Sequence, residues 1–230
     1  MSPLDLSDVG AGFRDPVADA QRCFRLILDA TAHPGRIVEL PADLLAANES
    51  GLPDAAAALA LTLLDFETPV WLDAAVRGAS AYLRFHCGMP LVDDPRESRF
   101  AFAGDPASLP PLGSFDLGTT EFPDRSTTLV VAVSGLAAES GIVLRGPGLK
   151  GRARLRLDGI GPEFWRARAE LAPLFPLGID LVFVCGRRLA APDRAVRNFP
   201  ALRRHSCGTR ARRRPSRRDT TGRSRAGGPC

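Results

Sequence analysis

Two short runs, Thr128 to Val133 (TLVVAV) and Ile179 to Val184 (IDLVFV), are apolar without alternation. Each is too short for a helix and rich in β-forming residues, which is the pattern of a strand buried on both faces. Such strands need cover above and below, so the chain is expected to form an α/β fold. The expected architecture is a three-layer αβα sandwich around a mixed central sheet.

The remaining elements fit around these strands. Asp15 and Pro16 read as a helix cap and first-turn residue, and His33, Pro34 and Gly35 as its end. Between them Val17, Ala20, Phe24, Ile27, Leu28 and Thr31 recur at steps of three and four and predict the apolar face. Ile37 to Leu40 reads as a short strand and Ala55 to Leu64 as a helix buried on most sides. Thr68 to Leu72 reads as a strand, and Tyr82 to His86 as the end of a helix stopped at Gly88 and Pro90. Asp105 to Gly118 is turn-rich. Strands are expected around Ile142 to Leu144 and Ala153 to Leu157, and a helix from Pro162 to Leu171.

Charge divides the chain. Of its 30 basic and 26 acidic residues, the first 186 positions hold 16 and 24, whereas positions 187–230 hold 14 arginines and two aspartates. The body is acidic and only the tail is basic. Rich in Arg, Pro, Gly and Ser, the tail lacks the apolar periodicity needed to order itself. With no aromatic beyond Phe199, no recognisable module and an abrupt onset, it is read as unrelated to the body's function, and its Arg/Pro/Gly/Ser mixture is what an out-of-frame reading of GC-rich coding sequence would produce. No apolar run approaches the roughly 18 residues of a membrane span, and the opening residues are acidic where a signal peptide is basic. A cytoplasmic protein is expected, with its five scattered cysteines reduced.

Several motifs have a chemical and a plainer reading. Gly146 to Gly148 followed by Lys150 lacks the spacing of a phosphate loop and reads as a turn between strands. On a strand, Arg152, Arg154 and Arg156 would share one face while Ala153, Leu155 and Leu157 take the other. With Arg145 and Lys150 they could meet a polyphosphate or an acidic partner, or form a solvated face. Arg84, His86 and Cys87 suggest nucleophilic or metal chemistry, but Arg84 and His86 diverge on a helix and no second ligand stands at the right spacing. His33 reads as a helix cap. Lys150 is the only lysine, and an arginine-rich turn is a poor setting for a Schiff base.

Read in order, FRLILDATAHPGRIVEL (Phe24 to Leu40), LLDFETPVWL (Leu63 to Leu72), LRFHCGMPLV (Leu83 to Val92), FPDRSTTLVVAV (Phe122 to Val133), LRGPGL (Leu144 to Leu149) and FPLGIDLVFVCG (Phe175 to Gly186) resemble the PhnH subunit of the bacterial carbon–phosphorus lyase system. The resemblance implies a subunit that acts with partners to join a phosphonate to the ribose of ATP, another subunit carrying the nucleosidase chemistry. It also implies a homodimer, and a fold similar to the large domain of pyridoxal-phosphate-dependent transferases without the cofactor. The family's ending runs one more short strand, and from about residue 192 this chain departs from it.

The resulting expectation is an N-terminal arm (1–14), a single α/β domain (15–191) and an Arg-rich tail (192–230). The domain is expected to act as an assembly subunit in phosphonate activation, with other carbon–phosphorus lyase subunits as partners. Arg145, Lys150, Arg152, Arg154, Arg156, Arg84 and His86 are its candidate partner- or substrate-binding residues, with ATP or a phosphonate as the small ligand. No cofactor, metal, catalytic cluster or specific nucleic-acid site is expected. Rival readings are a free-standing pyridoxal-phosphate enzyme and a nucleic-acid binder acting through the tail.

Overall fold

The structure, a computed structural model, describes residues 10–45, 47–146 and 149–192, together with the backbone of 197–199. A six-stranded mixed sheet lies at its centre. In chain order the strands are β1 (Val38–Glu39), β2 (Val70–Leu72), β3 (Phe100–Ala103), β4 (Thr128–Ala132), β7 (Asp180–Cys185) and β8 (Arg188–Ala190). Their order across the sheet is β1-β8-β7-β4-β3-β2. β2, β3, β4 and β7 run parallel, and β8 and β1 close one edge in antiparallel fashion.

The two apolar runs become the adjacent strands β4 and β7, paired from Thr128 with Asp180 to Ala132 with Val184. Their side chains feed two separate cores. Val130, Val182 and Val184 face helices α1 (Pro16–Ala32), α2 (Asp54–Leu63) and α3 (Ser80–Cys87). Leu129, Val131, Leu181 and Phe183 face the opposite layer. Burying a phenylalanine such as Phe183, fully enclosed here, is worth about 2–3 kcal/mol, so an interruption of either run would empty two cores at once.

α1 begins as its sequence predicts. The Asp15 carboxylate accepts the Val17 and Ala18 amides, and Asp19 reaches back to accept the Asp15 amide at 3.0 Å. At the other end His33 caps the helix, its amide bonded to the Asp29 carbonyl. The inward face keeps Ile27 of the expected residues and otherwise differs. Cys23, Ile27 and Ala30 are buried, whereas Val17, Phe24 and Leu28 are 83%, 48% and 54% exposed. Small residues win the inner face because α2 is buried along Ala55–Ala60, and alanine-lined helices approach closely.

Helices cover the first face of the sheet, as anticipated. Cover on the second face is mixed. It comprises α4 (Pro162–Leu171) and a three-stranded sheet ordered β6-β5-β9, in which β5 is Gly135–Arg145, β6 Ala153–Asp158 and β9 Arg197–Phe199. α4 docks through Phe164 and Trp165, whose rings lie 5.9 and 5.8 Å from that of Phe183. β3, β8 and β9 have no counterpart in the sequence reading. β9 pairs with β5 just past residue 192, where the sequence reading expects the resemblance to end. Of positions 192–230, which the sequence reads as an unstructured tail, Arg197–Phe199 form β9, and 193–196 and 200–230 lie outside the described residues.

Asp73, 2% exposed at the end of β2, fastens the parallel strands. One carboxylate oxygen accepts the Val76 amide at 3.0 Å, and the other accepts the Gly104 and Asp105 amides at 2.8 and 3.1 Å. Asp73→Ala strands several buried donors and is expected to cost about 3 kcal/mol in urea unfolding, with Asp73→Asn losing less.

Candidate functional site

The β5–β6 hairpin rises from the crossover between β4 and β7. Its geometry is set by a bulge at Glu139 to Gly141, where both residues have positive φ (69° and 84°). A Cβ on Gly141 would sit 2.3 Å from the Leu155 carbonyl oxygen, so only glycine allows the two backbones to approach this closely.

Beyond the bulge β6 alternates as its sequence predicts. Leu155 and Leu157 are buried, while Arg154 and Arg156 are exposed on the other face and Arg152 is exposed just before the strand. Val143 pairs with Arg154 and Leu144 with Ala153, so the same register carried one pair further sets Arg145 opposite Arg152. On its other side Arg145 pairs with Arg197 of β9. Lys150 is exposed in the segment joining the strands. Pro147 and Gly148, part of the GPG motif, lie outside the described residues. Positions 145–156 thus carry five cations and no acid in an otherwise acidic body. The Asp158 carboxylate lies 3.4 Å from Arg156 Nε.

Beneath this face, between the hairpin and α4, lies an open cleft of about 590 Å³. Ile142, Leu155, Leu157, Ile160 and Trp165 make its walls, and Arg156 and Arg166 contribute at its lining. The volume falls within the range of small-ligand and peptide-anchor sites. A smaller cavity of about 260 Å³ lies at the starts of β3, β4 and β7, between α1 and α2, where Pro192 ends the continuous described chain.

Arg84 and His86 do not join this site. They lie on α3, whose buried residues belong to the core on the other side of the central sheet. Arg84 is exposed. His86 lies within hydrogen-bonding distance of the Gly10 carbonyl, Nε2 to O 2.9 Å, and its ring packs against Tyr82 and Phe85. Tyr82 donates to the Ala11 carbonyl, so these side chains hold the N-terminal arm in place. The Cys87 thiol points at the Ala60 carbonyl, 3.6 Å away, and burial pushes its pKa from 9.0 up to about 11. A thiol held protonated in this way is a poor nucleophile at neutral pH. Among the described residues no three His, Cys, Asp or Glu side chains gather as metal ligands, and no helix is long and apolar enough to cross a membrane.

Sequence comparison places the whole of this architecture in one family. A profile of the family described as bacterial phosphonate metabolism protein (PhnH) matches residues 11–198, from the N-terminal arm into β9, and so continues past residue 192, where the sequence reading expects a departure. The chain belongs to the PhnH family. As a PhnH-family protein it is 43% identical over 172 residues to the alpha-D-ribose 1-methylphosphonate 5-triphosphate synthase subunit PhnH of Rhizobium meliloti (strain 1021), a match covering 74% of this chain and 85% of that protein. It is 30% identical over 179 residues to a Stutzerimonas stutzeri protein named provisionally as C-P lyase subunit protein HtxG, covering 76% and 84% of the two chains.

Burial also raises the Tyr82 hydroxyl, to about 12, with the neighbouring Cys87 adding to the shift. Both groups hold their protons more tightly when folded, so the stability they contribute is complete at neutral pH. It is lost as pH rises through the folded values. Unfolding free energy measured by urea titration should therefore fall between about pH 9 and pH 11, and Cys87→Ala should remove the Cys87 share of that fall.

Proposed function

We propose that this PhnH-family chain works as a subunit of a carbon–phosphorus lyase, within the assembly that the Rhizobium relative's name calls alpha-D-ribose 1-methylphosphonate 5-triphosphate synthase. The observation that carries this is the match to that relative over 85% of its length. The subunit's contribution is a surface on which partners and an anionic substrate are held. Arg145, Lys150, Arg152, Arg154 and Arg156 form that surface, since guanidinium forks bind carboxylate or phosphate oxygens two at a time. ATP or a phosphonate would be met here, within the complex and in the cytoplasm.

Likeness to the large domain of pyridoxal-phosphate-dependent transferases is part of the same reading, supported by the mixed six-stranded sheet with helices packed on one face. Lys150, exposed between β5 and β6, is poorly placed to form a buried aldimine. The homodimer needs an apolar, self-complementary surface, and the exposed stripe of Val17, Phe24 and Leu28 on α1 offers one.

Co-expression with the neighbouring phosphonate genes tests the assignment. Other lyase subunits should co-purify with a tagged chain, and changing Arg152, Arg154 and Arg156 together to serine should cut their recovery at least about tenfold with the circular dichroism spectrum intact. Unchanged recovery would return the arginines to ordinary solvated charges.

Phe24→Glu places a charge in the middle of the α1 stripe. In sedimentation velocity it should convert a dimer of the isolated protein to monomer, and a variant that stays dimeric would move the self-contact elsewhere.

A further inference from the structure

β6 is an edge strand. β5 pairs with one side of it, and among the described residues no strand pairs with the other. The backbone bond from the Ser134 amide to the Asp158 carbonyl only continues the ladder on the β5 side. Every second residue of an antiparallel edge strand turns its N–H and C=O outward, so β6 presents an open template along Ala153–Asp158.

Charged side chains commonly protect such an edge, and the arginines of β6 could do no more than that. The other face of the strand argues for occupation. Leu155 and Leu157 border a cleft of about 590 Å³ whose far wall is Trp165, and a charge placed for protection gives no reason to leave apolar walls apart. Edge, cleft and arginine row run along the same strand and alternate with the same two-residue period.

One kind of occupant satisfies all three. We propose that β6 accepts an extended segment of a partner protein in which apolar residues alternate with Asp or Glu. Its backbone would continue the ladder. Its apolar side chains would fill the cleft against Ile142, Ile160 and Trp165, and its carboxylates would meet Arg152, Arg154 and Arg156. A second copy of this chain fits badly, because pairing β6 with β6 sets one arginine row beside another. A partner of opposite charge removes that repulsion. Naming the occupant as a polypeptide rests on the reading of the chain as a subunit of an assembly.

The test uses the nitrogen-labelled full chain and a short synthetic peptide of alternating valine and glutamate. Amide shifts at Arg154 and Arg156 and a change in Trp165 fluorescence should report binding. Affinity should fall at least about tenfold when the peptide's ladder-forming amides are methylated, when its glutamates are replaced by lysine, or when Arg152, Arg154 and Arg156 are changed together to serine. Methylation of the peptide needs no altered protein, so the test survives a variant that fails to fold. Equal binding by a peptide with its valines and glutamates in separate blocks would overturn the proposal. So would indifference to methylation, or ATP shifting Trp165 and the β6 amides where the alternating peptide does not. If lyase subunits co-purify but the peptide result is negative, only this inference fails. Absence of co-purifying subunits would instead remove the reading on which the polypeptide occupant rests.

Discussion

The pairing of β4 with β7 is the constraint on which the rest depends. Both strands are buried on both faces at positions 129–131 and 181–184, and each of these side chains belongs to one of two cores. A parallel pair of neighbours cannot be joined by a tight turn. The connection from Ala132 to Asp180 must leave the sheet, cross and return, and in doing so it covers the second face. α4 and the β5–β6 hairpin are that cover. The surface proposed for partners is therefore built from the same crossover that the central pairing requires. α4, the helical part of that cover, is anchored by Phe164 and Trp165 against Phe183 of β7.

Segments with a single dominant period were legible in the sequence. β4 and β7 declare themselves by unbroken apolar runs, α1 by its cap and α4 by Pro162 and the residues that follow. β3 was missed because FAFA is short and half alanine, a residue depleted in strands, although it lies between β2 and β4. β9 was missed because Arg197 and Asn198 give no strand signal; it is defined by its register with β5, a tertiary relation. The inward face of α1 was misread for a related reason. The helix carries two overlapping stripes at helical spacing, and the larger residues of Val17, Phe24 and Leu28 suggested burial. The partner helix decided otherwise, since a wall of alanines accepts Cys23 and Ala30 at close range.

The site was legible to the same extent. Alternation from Arg152 to Leu157 is a period-two pattern, and the structure keeps it, with arginines outward and leucines inward. Arg145 joins them through cross-strand register. The cleft had no sequence signal at all, because Trp165 and Ile142 come together only once the hairpin folds over α4. Arg84 and His86 are cations near a thiol in sequence, yet the central sheet separates them from the hairpin. A list of basic residues could not anticipate that the sheet would divide it.

Why an acidic body should gather its cations here is a matter of electrostatics. Like charges close together on one face of a sheet repel, by about a few tenths of a kcal/mol each at an exposed site. Arg154 and Arg156 stand on one exposed face of β6 with Arg152 just before the strand, and Asp158 lies 3.4 Å from Arg156. For stability alone, a glutamate on β5 at position 143, where Val143 faces Arg154, would be better. The fold instead tolerates a repulsive row on an edge strand, held in place by a bulge that admits only glycine at position 141. An anion laid along that row would offset the repulsion, which is the electrostatic side of the docking proposed for β6.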